Sequence, residues 1–218
     1  MLAAMPAFPT TRWSLIAGSG HAPAARAAWS ELAQAYRPPV LAYFRARFGQ
    51  SAAEDLTQAF FAASIAGAWW SRADPARGSF RTYLRSLLQR FGARHVAESV
   101  PAAAGEEIEL VDAGPGPGAA YDRDFARTLV ARAMAGVKSG LDETDCALWP
   151  FVLERGEHGE LQSLSQMLTV TPESLRQRLH RLRRRLAASM REEVAALTAD
   201  SECVEEELRA IRDALRGG

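Results

Sequence analysis

The residues best equipped for chemistry lie together between Leu161 and Leu186. Leu175, Leu179, Leu182 and Leu186 recur at helical spacing and form one narrow stripe. Glu173, Gln177, His180, Arg181 and Arg184 fall on the opposite side; Arg176 and Arg183 lie on one flank, Arg178 and Arg185 on the other. Guanidinium groups neutralise phosphates and fork onto base edges, so the chemistry offered is recognition of nucleic acid rather than bond making. The local grammar supports this. Leu161 to Leu168 reads as a short helix with Leu164 and Leu168 inward, and Thr169-Val170-Thr171 is a tight connection. Thr171 is an N-cap, with Pro172 at the first helical position, where its missing N–H costs nothing. A helix buried on one face, basic elsewhere and preceded by a short helix and turn suits the DNA major groove. The plainer alternative is an ordinary amphipathic or coiled-coil helix with a solvated arginine face; the short helix, the turn and the capped start favour DNA.

Bond-making machinery is not in view. His21, His95, His158 and His180 are scattered without ligand spacing, and no glycine loop of the phosphate-cradling kind occurs. Cys146 and Cys203 supply neither a disulfide framework nor a metal set, which favours a reducing, cytoplasmic compartment. No enzyme activity and no cofactor are expected. Apolar residues make up 48 % of the 218, enough for real cores, with no run long enough to span a membrane. Met1 to Thr10 lacks a basic start and apolar stretch and reads as a frayed end.

The elements that must hold these side chains read as all-α: two small helical domains joined by a flexible Gly/Pro linker, the second carrying the helix-turn-helix, plus a C-terminal helical extension. The expected boundaries are 10–98, 99–120 (linker), 121–195 and 196–218. Pro101-Ala-Ala-Ala-Gly105 and Gly114-Pro-Gly-Pro-Gly118 bracket the linker. Net charge is zero, but it is unevenly spread. Residues 1–98 carry +6, 99–120 carry −4, 121–191 carry +3 and 192–218 carry −5. In the first domain Pro38-Pro39 suggests a fresh segment, Gly49 a helix stop, and Ser51 with Glu54 a capping box. A loop from Ser71 to Ser79 precedes a helix striped by Phe80, Tyr83, Leu84, Leu87, Leu88 and Phe91. In the second, Asp122 or Asp124 can cap a helix bearing Phe125, Leu129, Ala133 and Val137, and Asp142 another that Pro150 ends or kinks.

Three stretches, in order, carry a family resemblance. Ser163 to Leu186 is similar to the promoter-binding domain of extracytoplasmic-function (ECF) sigma factors of bacterial RNA polymerase. Ala53-Glu-Asp-Leu-Thr-Gln-Ala-Phe60 resembles their polymerase-binding helix, and Gly78-Ser-Phe-Arg-Thr-Tyr-Leu-Arg85 the start of their promoter-melting helix. The likeness covers roughly residues 10–195. It implies that Glu54, Asp55 and Gln58 contact the beta-prime clamp helices of core RNA polymerase, with the beta flap as a second contact. It implies that the loop Ser71 to Ser79 and the following helix open the minus-ten element of promoter DNA and hold a flipped base. Arg77, Arg81, Arg85, Arg90 and Arg94 would supply the basic surface, and Trp69, Trp70, Phe80 and Tyr83 the aromatic candidates. Phe80 and Tyr83 lie on the apolar stripe and read as core before they read as base contacts. The minus-thirty-five element would be read through Glu173, Arg176, Gln177, His180, Arg181 and Arg184, with His180 as a solvated surface residue the competing reading. Ala59 stands where the family usually has an acidic residue, Thr57 where an aliphatic is frequent, and Arg90 in place of an asparagine. The segment Trp149 to Glu160 also departs from the common pattern.

The extension has its own pattern. Ser201 can cap a helix striped by Val204, Leu208, Ile211 and Leu215, with Glu205 to Glu207 at its positive end and Arg209, Arg212 and Arg216 further on. Its acidity and stripe suit docking on a basic domain of the chain, which would restrain the free protein, or on a regulator. An anti-sigma factor is a further candidate partner, as is a Ser/Thr kinase that would place charge on Thr57 near Ala59. The rival readings are a helix-turn-helix repressor or activator that is no polymerase subunit, a recombinase or nuclease with such a tail, and a helical adaptor that ignores DNA.

Overall fold

The computed structural model describes residues 23–74, 77–99, 116–153, 158–198 and 201–217. The protein is all-α: the described residues form helices and turns without a strand. In chain order the helices are α1 (Pro23–Ala66), α2 (Phe80–Ser99), α3 (Pro117–Lys138), α4 (Glu143–Leu148), α5 (His158–Leu168), α6 (Pro172–Ala195) and α7 (Ser201–Arg216), with 3-10 turns at Trp70–Arg72 and Trp149–Phe151. The N-terminal stretch Met1 to Thr10 and linker residues 101–115 lie outside the described residues. Among the described residues no helix is long and apolar enough to cross a membrane, and no cluster of side chains could hold a metal. Cys146 and Cys203 are not joined in a disulfide.

The chain divides into two compact units: Met1–Leu129 with Val194–Gly218, and Val130–Glu193. In the first unit α1 runs 44 residues and is broken at Gly49, whose φ of 80° with ψ of 172° is a conformation that glycine adopts and residues bearing a Cβ avoid. It does not restart at Pro38-Pro39 but passes through both. Tyr36, Val40, Tyr43 and Phe44, buried at helical spacing on either side, hold the turn that loses two N–H donors. Aromatic rings then join the helices. Phe80 at the head of α2 lies 4.9 Å from Tyr36 and 5.7 Å from Trp70. Tyr36 in turn stacks on Phe125 of α3 at 5.6 Å.

Helix α3 starts at Pro117, so residues 117–120 are helical where the sequence suggests linker. Pro117 after Gly116 is the natural first helical residue, having no N–H to satisfy. Asp122 and Asp124 therefore sit inside the helix rather than capping it. In α7, Val204 and Ile211 are buried as the stripe requires, but Leu215 is 42 % exposed and Glu207 faces inward.

The second unit packs Ala133 and Val137 of α3, Leu148, Trp149 and Val152, and Leu164 of α5 around the stripe Leu175, Leu179, Leu182 and Leu186 of α6. Asp142 caps α4 by accepting from the Asp145 N–H at 2.7 Å. Helix α4 ends at Leu148, and Pro150 occupies the 3-10 turn that follows. Helix α5 closes on Thr169 in the left-handed region (φ 55°). The Val170 N–H returns to the Ser165 carbonyl at 3.2 Å, and the Ser165 hydroxyl donates to the Val170 carbonyl at 2.7 Å. Thr171 then accepts from the Ser174 N–H at 3.3 Å, starting α6 at Pro172.

Candidate nucleic-acid interface

In the second unit, burial of the leucine stripe fixes what α6 presents outward. Glu173, Arg176, Gln177, His180, Arg181 and Arg184 are all exposed. Glu173 draws two of them together, accepting from Arg176 at 3.3 Å and Gln177 at 3.5 Å. The flanking arginines divide into two kinds. Arg178 is spent on its own unit, donating to Asp142 at 2.7 Å and Asp145 at 3.0 Å. Arg183 donates to the Phe151 and Val152 carbonyls at 2.9 and 3.1 Å, tying α6 to the turn after α4. Those two orient the helix, while the exposed set is available to a ligand surface.

The first unit contains a cavity of about 790 Å³ between the Ser71 to Ser79 loop and α2. Arg72, Arg77, Arg90 and Arg94 supply its positive charge, and Trp69, Tyr83 and Phe91 its aromatic wall. Gly67 makes room for that wall: a Cβ there would stand 2.3 Å from the Trp69 indole nitrogen. The Tyr83 hydroxyl donates to the Trp69 carbonyl at 2.5 Å. Burial pushes the Tyr83 phenol above its ordinary pKa, against the pull of Arg90 and Arg72, so it remains a proton donor. Rings beside cations suit an unstacked base with its phosphate. Tyr83 thus lines the cavity, whereas Phe80 is core; Trp70 is also core, with its indole N–H donating to the Ser64 hydroxyl at 2.9 Å.

Arg81 and Arg85, on the same helix, are placed differently. Arg81 is held between two carboxylates, Asp122 of α3 at 2.5 Å and Glu207 of α7. Its side chain is only 14 % exposed. Burial disfavours its charge, but the hydrogen bonds and attraction of Glu207 and Asp122 outweigh that and raise the pKa of the guanidinium. Arg85 shares Asp122 at 2.7 Å. The Tyr121 hydroxyl donates to the Arg81 carbonyl at 3.1 Å, and its own ionisation is pushed well up by burial.

On α1, Asp55 and Gln58 are exposed, and Glu54 is half-buried and engaged by Arg37 and, at 4.0 Å, by Arg45. A fresh helical segment does begin here, after the break at Gly49, but the Glu54 carboxylate of the Ser51–Glu54 pattern is engaged by arginines. Thr57 is fully buried and donates to the Ala53 carbonyl at 2.7 Å, out of reach of a kinase in this conformation.

Sequence reasoning missed Arg72 as a cavity residue and the carboxylates on Arg81. Arg72 follows Trp69-Trp70 inside the irregular loop, a cation-beside-ring pattern that could have flagged it. Nothing local marks Asp122 and Glu207, which lie 41 and 126 residues from Arg81. No family model, curated protein or solved structure matches this chain.

Proposed function

We propose that this protein is an alternative sigma factor of the ECF kind, a cytoplasmic subunit that binds core RNA polymerase and directs it to specific promoters. The observation that carries the reading is the cavity between the Ser71 to Ser79 loop and α2, with four arginines and three aromatic rings. A repressor that reads only duplex DNA has no use for such a place. A protein that opens DNA needs one, because unstacking a base costs a few kcal/mol, and stacking it on protein rings returns about 1–3 kcal/mol. In this mechanism Trp69, Tyr83 and Phe91 receive a base of the minus-ten element while Arg72, Arg77, Arg90 and Arg94 follow its backbone.

The second unit supports the same reading. Its α5, the turn through Thr169 and the capped α6 constitute a helix-turn-helix in this account. Arg176, Gln177, His180 and Arg181 address base edges of the minus-thirty-five element, with Glu173 setting the pose of Arg176 and Gln177. Asp55 and Gln58 meet the beta-prime clamp helices, and Glu54 joins them by exchanging its arginines for those of the partner. The two DNA elements would then be read by separate units of one chain, the second of them also meeting the beta flap.

The experiment is capture of core RNA polymerase by tagged protein, with Glu54→Arg/Asp55→Arg as control. Retention of core by the wild type and its loss in the double variant are expected. A wild type that binds duplex DNA but ignores core would instead be a helix-turn-helix repressor or activator.

A further inference from the structure

We propose that α7 is a releasable strap whose Glu207, together with Asp122, occupies a phosphate-binding patch formed by Arg81 and Arg85, and that nucleic-acid phosphate displaces it. This deepens the nucleic-acid reading above and rests on it.

The arginines along α2 are not equivalent. Arg90 and Arg94 are exposed at the cavity, as is Arg77 just before the helix. Arg81 and Arg85 are the arginines of this series held by carboxylates from distant parts of the chain. A carboxylate binds the guanidinium fork with the same planar, two-point geometry that a phosphate uses. Glu207 meets Arg81 through both of its oxygens, and the two oxygens of Asp122 are divided between Arg81 and Arg85. Two acidic groups thus fill the positions that two backbone phosphates would take.

The attachment of α7 is suited to exchange. Few apolar side chains hold it: Val204 and Ile211 are buried, Leu208 is half-buried and Leu215 is exposed. At its far end the Gly217 carbonyl accepts from Arg123 at 2.8 Å on an exposed surface. Its root is firmer. Val194, Leu197 and Thr198 are buried, and the Leu197 carbonyl receives the Phe80 N–H at 3.1 Å. The helix can therefore leave while its root stays. On its exposed side Glu202, Glu205 and Glu206 gather in the first turns, while Arg209, Arg212 and Arg216 accompany Asp213 further along, so the negative charge that repels nucleic acid while the strap is closed is concentrated in the half of α7 next to Glu207. Displacement exchanges one ion pairing for another and removes that repulsion.

The test compares full-length wild type with Glu207→Gln, an isosteric change that removes only the charge. Binding of a labelled single-stranded oligonucleotide is measured across salt concentrations, together with hydrogen exchange of residues 201–217 with and without the oligonucleotide. The strap predicts binding about tenfold tighter in Glu207→Gln, and a salt dependence steeper by about one phosphate contact. In the wild type, which needs no variant, saturating oligonucleotide should speed exchange across α7. Equal affinities with unchanged protection of α7 would overturn the strap and leave nucleic-acid binding intact. Weaker binding by a less stable Glu207→Gln would make α7 a structural brace and also overturn it. Absence of binding by either protein would remove both the strap and the nucleic-acid reading.

Discussion

Replacing Arg81 with Met is the most informative perturbation of the fold. The guanidinium is 14 % exposed, and it neutralises Asp122, 18 % exposed, and Glu207, 7 % exposed. Removing one member of a buried ion pair costs about 3–5 kcal/mol, because a charge is left in a poor solvent. Asp122 keeps Arg85 at 2.7 Å, so the orphan is chiefly Glu207. The expected loss is therefore at the low end, about 3 kcal/mol. For a chain of this size that lowers the melting temperature by roughly 6–12 °C. The double variant Arg81→Met/Glu207→Leu leaves no buried charge on α7 and should recover about 2 kcal/mol of the loss. Urea unfolding followed by circular dichroism gives both numbers. A loss under about 1 kcal/mol in Arg81→Met would mean that solvent already screens the cluster. A double variant no more stable than the single one would mean that the loss comes from packing of the Arg81 stem, and the charge argument would fail.

Other outcomes follow from the same geometry. Thr169→Gly should stabilise the second unit by about 1 kcal/mol in thermal unfolding, because a β-branched residue at φ 55° is strained and glycine is not; a destabilised variant would contradict that strain. The hydrogen bond from Arg178, followed by that from the Asp145 N–H, holds the Asp142 carboxyl below its ordinary value of 3.8. Its contribution is complete above that value and is lost as pH falls through the lower folded value, so Asp142→Asn should flatten the acid limb of the stability curve. An acid limb identical to wild type would refute this assignment. Arg181→Ala should weaken duplex binding by about 1–3 kcal/mol and relax preference at one base pair; a uniform loss across sequences would make it a phosphate contact.

What the sequence disclosed, it disclosed through local rules. Thr171 and Pro172 mark a helix start by chemistry that acts within four residues, and the leucine stripe of α6 identifies its buried face. Gly49 likewise marks its break through its own backbone freedom. Local rules also misled. Pro38-Pro39 reads as a boundary, but ring packing of Tyr36, Tyr43 and Phe44 carries α1 through it. Asp122 reads as a cap, but its fate was decided by Arg81 and Arg85, some 40 residues earlier. Basic residues counted along α2 look alike in sequence. Only the fold separates Arg90 and Arg94, exposed at the cavity, from Arg81 and Arg85, which are engaged by carboxylates.

Promoter selection by this protein is read out by mapping transcript start sites. Core RNA polymerase is incubated with a pool of genomic fragments, with and without the protein, and the first nucleotides of the transcripts are determined. A sigma factor yields new, discrete starts behind a shared pair of upstream elements, present only with the wild type and lost in Glu54→Arg/Asp55→Arg. Starts unchanged by the protein, at concentrations where it is folded and binds DNA, would rule out a sigma-factor role.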